Sequence, residues 1–197
     1  MALDKATDSE LMLRFSRWRD ESAFERLVRR WEGPVFSYLA KAAGNWHVAG
    51  DLRQEVFIRV YRYGRTYNPD YKFTTWLFRI ANNVLSTWRK KQRRGGVLDW
   101  FRRNGGEALD VPDAAAGPRE FAARVEARGK IDDAVAELAD ADRELLLLRL
   151  DLELSYREIG KILDMPETTV KSRFYKLLER LRKSLEKAGI DPGTVRV

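Results

Sequence analysis

The chain has 197 residues and a formal net charge of +7 at pH 7, with 37 lysines and arginines and 30 aspartates and glutamates. It has no cysteine, which excludes disulfide bonds and thiolate metal sites, and one histidine, His47. No apolar run reaches the roughly 18 residues that cross a bilayer, and the first residues do not resemble a signal peptide. We therefore expect a cytoplasmic protein without membrane insertion.

Four helices are predicted in the first half of the chain, because apolar residues recur at helical spacing and no run alternates as a strand does. The first is short and follows a cap at Asp8 or Ser9. The second passes through Gly33-Pro34, where it can kink without ending. Within the third, Asp51 and Gln54 fit a capping box, which leaves a purely structural role open beside a binding role. A turn with glycine and proline separates the third helix from the fourth.

The fourth predicted helix and the turn residues before it, 71–94, contain no acidic side chain. A track of cations suits the phosphates of DNA without sequence preference. Asn82 and Asn83 are poor residues for a helix interior, so they are either a solvent-facing pair or a nucleic-acid contact. Aromatic rings beside cations suit unstacked bases. The residues concerned are Lys72, Arg79, Arg89, Lys90, Lys91, Arg93 and Arg94, with the aromatic Tyr67, Tyr71 and Phe73.

Residues 95–124 differ from the rest, with two Gly-Gly pairs, two prolines and no sustained period. A helical segment lies on either side of them. We therefore predict an all-α protein of two small helical domains joined by a flexible linker. The domains are residues 1–94 and 125–197, and the linker carries one apolar cluster at residues 97–101.

The segment that begins at Ser155 is typical of a helix-turn-helix. Ser155 and Glu158 form a capping box that starts one helix, Pro166 requires a turn, and Glu167 or Thr168 begins the next helix. That second helix has an apolar stripe on one side and a polar, basic side opposite, which suits a DNA major groove. The alternative is a helical hairpin whose charged face is solvated. The polar side consists of Thr169, Lys171, Ser172, Arg173, Tyr175 and Lys176.

Taken together, these segments resemble the sigma-70 family of bacterial transcription initiation factors, and more narrowly its small extracytoplasmic-function branch, which keeps only the second and fourth conserved regions. "DLRQEVFIRVYR" is similar to the family's motif for binding core RNA polymerase, and "FTTWLFRIANN" to the helix that recognises and melts the minus-ten element. "LLLLRLDLELSYREIGKILDMPETTVKSR" is similar to the region that recognises the minus-thirty-five element. Three motifs in this order are far more specific than a lone helix-turn-helix. The resemblance covers residues 8–94 and about 130–187.

The resemblance implies roles for individual side chains. Docking on the coiled coil of the polymerase β′ subunit would use Asp51, Leu52, Gln54, Glu55, Phe57 and Val60. Recognition of the minus-ten element, with a base captured from the non-template strand, would use Tyr67, Tyr71, Lys72, Phe73, Arg79, Asn82, Asn83, Arg89 and Lys90. Recognition of the minus-thirty-five element would use Tyr156, Arg157, Thr168, Thr169, Lys171, Ser172, Arg173, Tyr175 and Lys176.

Three residues depart from the family's pattern. Thr87 stands where an acid or an amide is frequent, and Asp164 and Thr168 replace frequent glycines. Aspartate tolerates a left-handed backbone better than most residues, so Asp164 should preserve the turn. Thr168 stands at the start of the recognition helix and can change which bases are contacted.

The partners that the resemblance implies are core RNA polymerase, through its β′ and β subunits, and promoter DNA, as duplex and as melted non-template strand. It also implies an anti-sigma protein as inhibitor, and no cofactor. For the linker we weigh two hypotheses, a path through a polymerase channel and a disordered tether.

An enzyme is not expected, because the sequence has no phosphate-cradling glycine loop, metal cluster or nucleophile with a histidine base. His47, beside Trp46 in a predicted turn, suits a structural role better than catalysis. The main alternative is a stand-alone helix-turn-helix regulator whose first domain senses a ligand or forms a dimer. The "DLRQEVF" motif and the acid-free helix argue against it. The basic faces of both domains argue against a helical adaptor that binds proteins only.

Overall fold

The computed structural model describes residues 5–94, 129–131 and 133–189. Within these ranges the chain is helical and has no β-strand, as the sequence predicts. The predicted linker, residues 95–124, lies outside the described residues, and so does its apolar cluster at 97–101. The principal helices are α1 (Asp8–Trp18), α2 (Glu21–Ala43), α3 (Trp46–Tyr63), α4 (Phe73–Arg94), α5 (Asp140–Leu150), α6 (Tyr156–Leu163) and α7 (Glu167–Lys187).

The start of α1 differs from the sequence prediction. Its cap is Thr7, and the cap predicted at Asp8 or Ser9 is wrong, because Thr7 and Glu10 form a reciprocal capping box. The next helix behaves as predicted, since α2 continues through Pro34 without a break.

The start of α3 shows whether Asp51 and Gln54 form a capping box. The side-chain oxygen of Asn45 accepts a hydrogen bond from the backbone N–H of Val48 at 3.1 Å, so Asn45 is the cap. Asp51 and Gln54 therefore lie inside the helix, and their interpretation as a capping box is wrong.

The core of the N-terminal domain is built on aromatic side chains from α1 and α4. Phe15, Phe73 and Phe78 are at most 2% exposed, and burying one such ring stabilises the fold by about 1.5–3 kcal/mol.

The turn after α3 crosses α1 at Gly64. A Cβ there would lie 2.8 Å from Cε1 of Phe15, so the crossing requires glycine.

The helix-turn-helix begins as predicted. Ser155 caps α6, and its side chain and that of Glu158 form the capping box. Pro166 precedes α7, which begins at Glu167.

The turn between α6 and α7 is tight. Asp164 has φ 56° and ψ 49°, a left-handed conformation that aspartate adopts at modest cost. The backbone N–H of Met165 donates to the carbonyl oxygen of Gly160 at 2.9 Å. A Cβ on Gly160 would lie 2.6 Å from the carbonyl oxygen of Met165, so the turn closes only over a glycine.

The two domains are in contact with each other. α6 packs on α4 and α5 packs on α2, and buried apolar residues from both domains form one continuous cluster. Ion pairs join the domains across this contact, including Lys41 with Asp151 at 2.5 Å.

Candidate polymerase and promoter interfaces

An open, largely apolar groove lies between α2 and α3. Ile58 on its wall is 51% exposed, and Tyr61 is 38% exposed. A contiguous exposed apolar surface of this kind is a common mark of a protein–protein contact. The lining consists of Arg19, Phe24, Val28, Glu32, Arg53, Gln54, Phe57, Ile58, Tyr61 and Arg62.

The residues predicted to dock on polymerase occupy different places on α3. Gln54 and Phe57 line the groove, and Asp51 is exposed on the same helix. Leu52 and Val60 are buried in the domain core. The buried pair can therefore support the groove but cannot touch a partner in this conformation.

Glu55 lies on α3 but does not line the groove. Glu55 accepts a hydrogen bond from Nε of Arg59 at 2.6 Å, one turn further along α3. Phe24, Val28 and Ile58 were not predicted as binding residues. The available signal was the spacing of Phe24 and Val28 by one helical turn, but that spacing is equally typical of a core position.

Part of the predicted minus-ten surface is exposed on α4 and on the turn before it. Tyr71 is 43% exposed, and Lys72, Arg79, Asn83 and Lys90 are also exposed. These side chains offer a ring, an amide and cations along one segment without a carboxylate.

Two aromatic residues of the same prediction are buried. The hydroxyl of Tyr67 is 2.9 Å from the carbonyl oxygen of Tyr71 and 3.0 Å from Oγ of Ser9. Phe73 is 2% exposed. Neither the Tyr67 ring nor the Phe73 ring presents a free face to a base in this conformation. Trp76 packs against Tyr67, with ring centroids 5.5 Å apart. It reaches the surface where the sequence predicted the rings of Tyr67 and Phe73 to lie.

Asn82 and Arg89 are also tied to the protein. The Tyr38 hydroxyl donates to Oδ1 of Asn82 at 3.3 Å. The guanidinium of Arg89 is paired with Glu144 of the C-terminal domain and donates to the carbonyl oxygen of Ala42 at 2.6 Å. Burial lowers the pKa of Arg89 below its ordinary value. Arg89 therefore joins the domains here and does not line an open cationic track.

The exposed side of α7 agrees with its predicted orientation. Tyr175 is 56% exposed, and Oγ of Ser172 donates to the carbonyl oxygen of Thr169 at 3.1 Å. In α6, Arg157 is exposed, whereas Tyr156 is half-buried. The other exposed side chains in the first turns of α7 are Thr168, Thr169, Lys171, Ser172 and Lys176.

Arg173 differs from its neighbours on α7 because it is bound to a buried carboxylate. Its Nε donates to Oδ1 of Asp142 at 2.7 Å, and Nη2 of Arg180 is 2.5 Å from Oδ2 of the same residue. Burial alone would raise the pKa of Asp142, but the two guanidinium groups outweigh it and hold the pKa below its usual range. Nothing in the sequence singles out Asp142, which is an ordinary acidic residue in the first turn of a helix.

The two predicted DNA-binding surfaces meet in one cleft. Lys72 and Glu158 form an ion pair at 2.9 Å, and Nζ of Lys161 lies 4.2 Å from the centre of the Tyr71 ring. The cleft is lined on one side by Tyr71, Thr75, Trp76 and Arg79 and on the other by Arg157, Gly160, Lys161, Asp164, Met165, Pro166 and Glu167.

In the part of the chain that the structure describes, no helix combines the length and the apolar character needed to cross a membrane.

The chain matches two conserved family regions, sigma-70 region 2 over residues 27–95 and sigma-70 region 4 over residues 128–181. Among curated relatives, the ECF RNA polymerase sigma factor SigW of Bacillus subtilis is 32% identical over 170 residues, which cover 84% of this chain and 90% of the relative. Both regions therefore occur in the order that the sequence motifs predict.

Two solved structures have a similar fold. CnrH, in complex with the cytosolic domain of CnrY, gives a TM-score of 0.64 at 22% identity and covers 91% of this chain and 97% of its own. The sigma factor RpoE of Bartonella quintana, in complex with the anti-sigma factor NepR, gives 0.61 at 18% identity and covers 83% and 96%. With both conserved regions matched in order and a relative that aligns over most of both chains, this chain belongs to the sigma-70 family of RNA polymerase sigma factors, in its extracytoplasmic-function branch.

Proposed function

We propose that this sigma factor binds core RNA polymerase through the groove between α2 and α3 and directs the enzyme to promoters with the surfaces of α4 and α7. The observation that carries the proposal is the exposed apolar groove beside Gln54 and Phe57. One wall of the groove, on α3, is part of the segment that resembles the family's polymerase-binding motif. The chain would act by binding, without a cofactor, and polymerase would supply the chemistry.

The composition of the groove supports a protein partner. Apolar side chains such as Phe57 and Ile58 line the groove together with charged residues such as Arg53 and Arg62. Interfaces commonly place apolar anchors at the centre and charges at the rim. Duplex DNA would not require such an apolar surface.

The exposed part of α4 and the turn before it support contact with melted DNA. Tyr71 and the neighbouring Trp76 provide rings on which an unstacked base can lie, and Lys72 and Arg79 provide cations for the strand's phosphates. Asn83 adds an amide that can hydrogen-bond a base edge. The absence of acidic residues from this segment removes electrostatic repulsion of the strand.

The exposed side of α7 supports contact with duplex DNA in a major groove. Lys171 and Lys176 can reach phosphates, and shorter polar side chains such as Thr169 and Ser172 can approach base edges near the start of the helix. Thr168 occupies the position at which the family frequently has glycine, so the minus-thirty-five sequence is expected to be particular to this protein.

We further propose that an anti-sigma protein inhibits this chain in the cytoplasm. The RpoE structure contains an anti-sigma factor, and its fold is similar over 83% of this chain. The groove between α2 and α3 is an exposed surface that such an inhibitor and polymerase could compete for.

Binding of the full chain to bacterial core RNA polymerase tests the proposed function. The informative variant is Phe57→Ala combined with Ile58→Ala, which removes two apolar side chains that line the groove, the half-buried Phe57 and the exposed Ile58. Tyr63→Ala is the matched control, because Tyr63 lies on the same helix, is 48% exposed and does not line the groove. We expect the double variant to bind polymerase about 30-fold or more weakly, since loss of an interface hot spot costs about 2 kcal/mol or more.

The same binding measurement distinguishes a sigma factor from the alternative function, a stand-alone regulator. A wild-type chain that binds a specific duplex by itself and does not bind polymerase would be a stand-alone regulator. Equal weakening by the double variant and by Tyr63→Ala would show that polymerase binds elsewhere.

A further inference from the structure

Asp142 connects α5 to the recognition helix α7 through two arginines. The side chain of Asp142 is 6% exposed, and each of its carboxylate oxygens has its own guanidinium partner. Arg173 and Arg180 are seven residues apart, about 20° on a helix with roughly 100° per residue, so they occupy the same flank of α7. Two points of α7, about two turns apart, are therefore bound to one residue of α5.

The flank that carries Arg173 is not the side that faces away from the domain. Arg173 is about 60° from Val170 around the helix, at roughly 100° per residue, whereas Ser172 is about 160° from it. Val170 is 0% exposed, so Arg173 borders the core and Ser172 lies opposite. The side chain of Arg173 is 33% exposed, and its Nε–H is directed at α5.

We infer that Asp142 and Arg173 are a positioning pair that sets the angle of α7 in the major groove, and that Arg173 acts on minus-thirty-five recognition through this angle and not by touching a base or a phosphate. This inference rests on the proposed function of α7. It assigns Arg173 a different role from the exposed residues with which the sequence pattern grouped it.

The physical basis is that a small rotation of α7 moves every side chain on its exposed side at once. Base contacts require side-chain positions correct to a fraction of an ångström, because hydrogen bonds weaken steeply with distance and angle. Loss of the Asp142 contact would remove this ionic restraint and leave the apolar packing of residues such as Val170 and Phe174 to oppose a rotation of α7. Such a rotation displaces all base contacts of the helix together.

The test uses holoenzyme reconstituted from core polymerase and the full chain, presented with promoter duplexes randomised at the minus-thirty-five element. Preference is measured base pair by base pair, and affinity for the preferred duplex is measured over a range of salt concentrations. The variants are Arg173→Ala, Asp142→Asn, the combination of the two, and Lys171→Ala as an exposed control on the same helix. Circular dichroism establishes that each is folded at the temperature of the assay, and Arg173→Lys replaces Arg173→Ala if the latter does not fold.

For Arg173→Ala and Asp142→Asn we expect preference to fall at several base pairs together, by about tenfold in total, similar to the loss caused by one mismatched base pair. The slope of log affinity against log salt should remain that of the wild type. The double variant should be no worse than the worse single variant, because Asp142→Asn already weakens the contact that Arg173→Ala removes. Lys171→Ala should instead reduce the slope by about 0.9, the value for one phosphate contact.

Loss of preference at a single base pair in Arg173→Ala would overturn the inference and show direct base recognition. A slope reduced by about 0.9 in that variant would likewise show a phosphate contact. Unchanged preference in a folded Asp142→Asn would also overturn it. Failure of the proposed function is distinguishable, because wild-type holoenzyme would then show no minus-thirty-five preference, and the inference would fall with it.

Discussion

Lys72 and Glu158 join the two domains by an ion pair of 2.9 Å. The same Glu158 carboxylate caps the helix-turn-helix, because it accepts the backbone N–H of Ser155 at 2.8 Å. One side chain therefore links the start of α6 to the predicted minus-ten surface. Separation of the domains on a promoter would break the ion pair but leave the cap in place.

The titration of Glu158 predicts acid sensitivity. Burial would raise its pKa, but the hydrogen bonds from Ser155 and the ammonium of Lys72 outweigh burial and lower the pKa from 4.5 to about 2. The folded-state pKa is depressed, so the carboxylate contributes stability above about pH 4.5, and this contribution is lost as the pH falls towards 2. The thermal unfolding midpoint of the full chain should therefore fall as the pH is lowered over this range, in part because of Glu158.

Glu158→Gln is the control for this prediction, because glutamine also serves in a capping box but carries no charge. The difference in stability between wild type and Glu158→Gln should be largest near neutral pH and should shrink to zero as the pH falls through about 2. A difference that is constant from pH 7 to pH 2 would contradict the prediction.

Arg89 should matter more to the contact between domains than Lys72 does. The side chains of Arg89 and Glu144 are 11% and 10% exposed, so removal of Arg89 leaves a buried carboxylate without its partner. Breaking a buried pair costs about 3–5 kcal/mol, whereas an exposed pair such as that of Lys72, 75% exposed, contributes about 0–1 kcal/mol. Arg89→Ala should increase the distance between fluorophores placed in the two domains, and Lys72→Ala should increase it little.

The same fluorescence measurement also tests whether the unpaired charge of Glu144 causes the change in distance. Glu144→Gln in the Arg89→Ala background should recover part of the short distance, because it removes the unpaired charge. An equal change in distance for Arg89→Ala and Lys72→Ala would show that the buried pair contributes no more than the exposed pair to the contact between the domains.

Gly160→Ala should disrupt the helix-turn-helix. The new Cβ would lie 2.6 Å from the backbone oxygen of Met165, and backbone cannot move aside as a flexible side chain does. We expect a loss of about 1–3 kcal/mol in the free energy of unfolding, together with weaker minus-thirty-five binding. Denaturant unfolding of the full chain and promoter binding by the holoenzyme are the two measurements.

Gly50→Ala is the matched control. Gly50 lies inside α3, where an added Cβ meets no atom within 4 Å beyond its neighbouring backbone, so alanine should stabilise the helix by about 0.5–1 kcal/mol. If Gly160→Ala were as stable as Gly50→Ala, the turn would be able to open without loss.

Lys171 and Lys176 should contribute to DNA binding without contributing to stability. Both are exposed on α7, and each phosphate contact adds about 0.9 to the slope of log affinity against log salt. Replacing both with alanine should therefore reduce the slope by up to about 1.8 and leave the unfolding midpoint within error. A lower midpoint with an unchanged slope would show that these lysines support the fold instead.

The sequence by itself determined the features that depend on neighbouring residues. The capping box of Ser155 and Glu158 and the proline at 166 locate the helix-turn-helix, because a cap and a missing N–H act within one turn of the chain. Helical spacing of apolar residues predicted α2 and α4 for the same reason. The order of the motifs was sufficient to predict a sigma factor with two helical domains.

Only the tertiary structure decided which of the predicted site residues are free. Tyr67 is exposed or buried according to how the turn before α4 packs, and helical spacing carries no information on that. Arg173 and Asp142 are 31 residues apart, so their pairing depends on the packing of α7 on α5. The meeting of the two predicted DNA-binding surfaces in one cleft depends on contacts between separate domains. Local patterns specify helices and their caps, but the direction and partner of a long side chain follow from helices that the chain brings together only on folding.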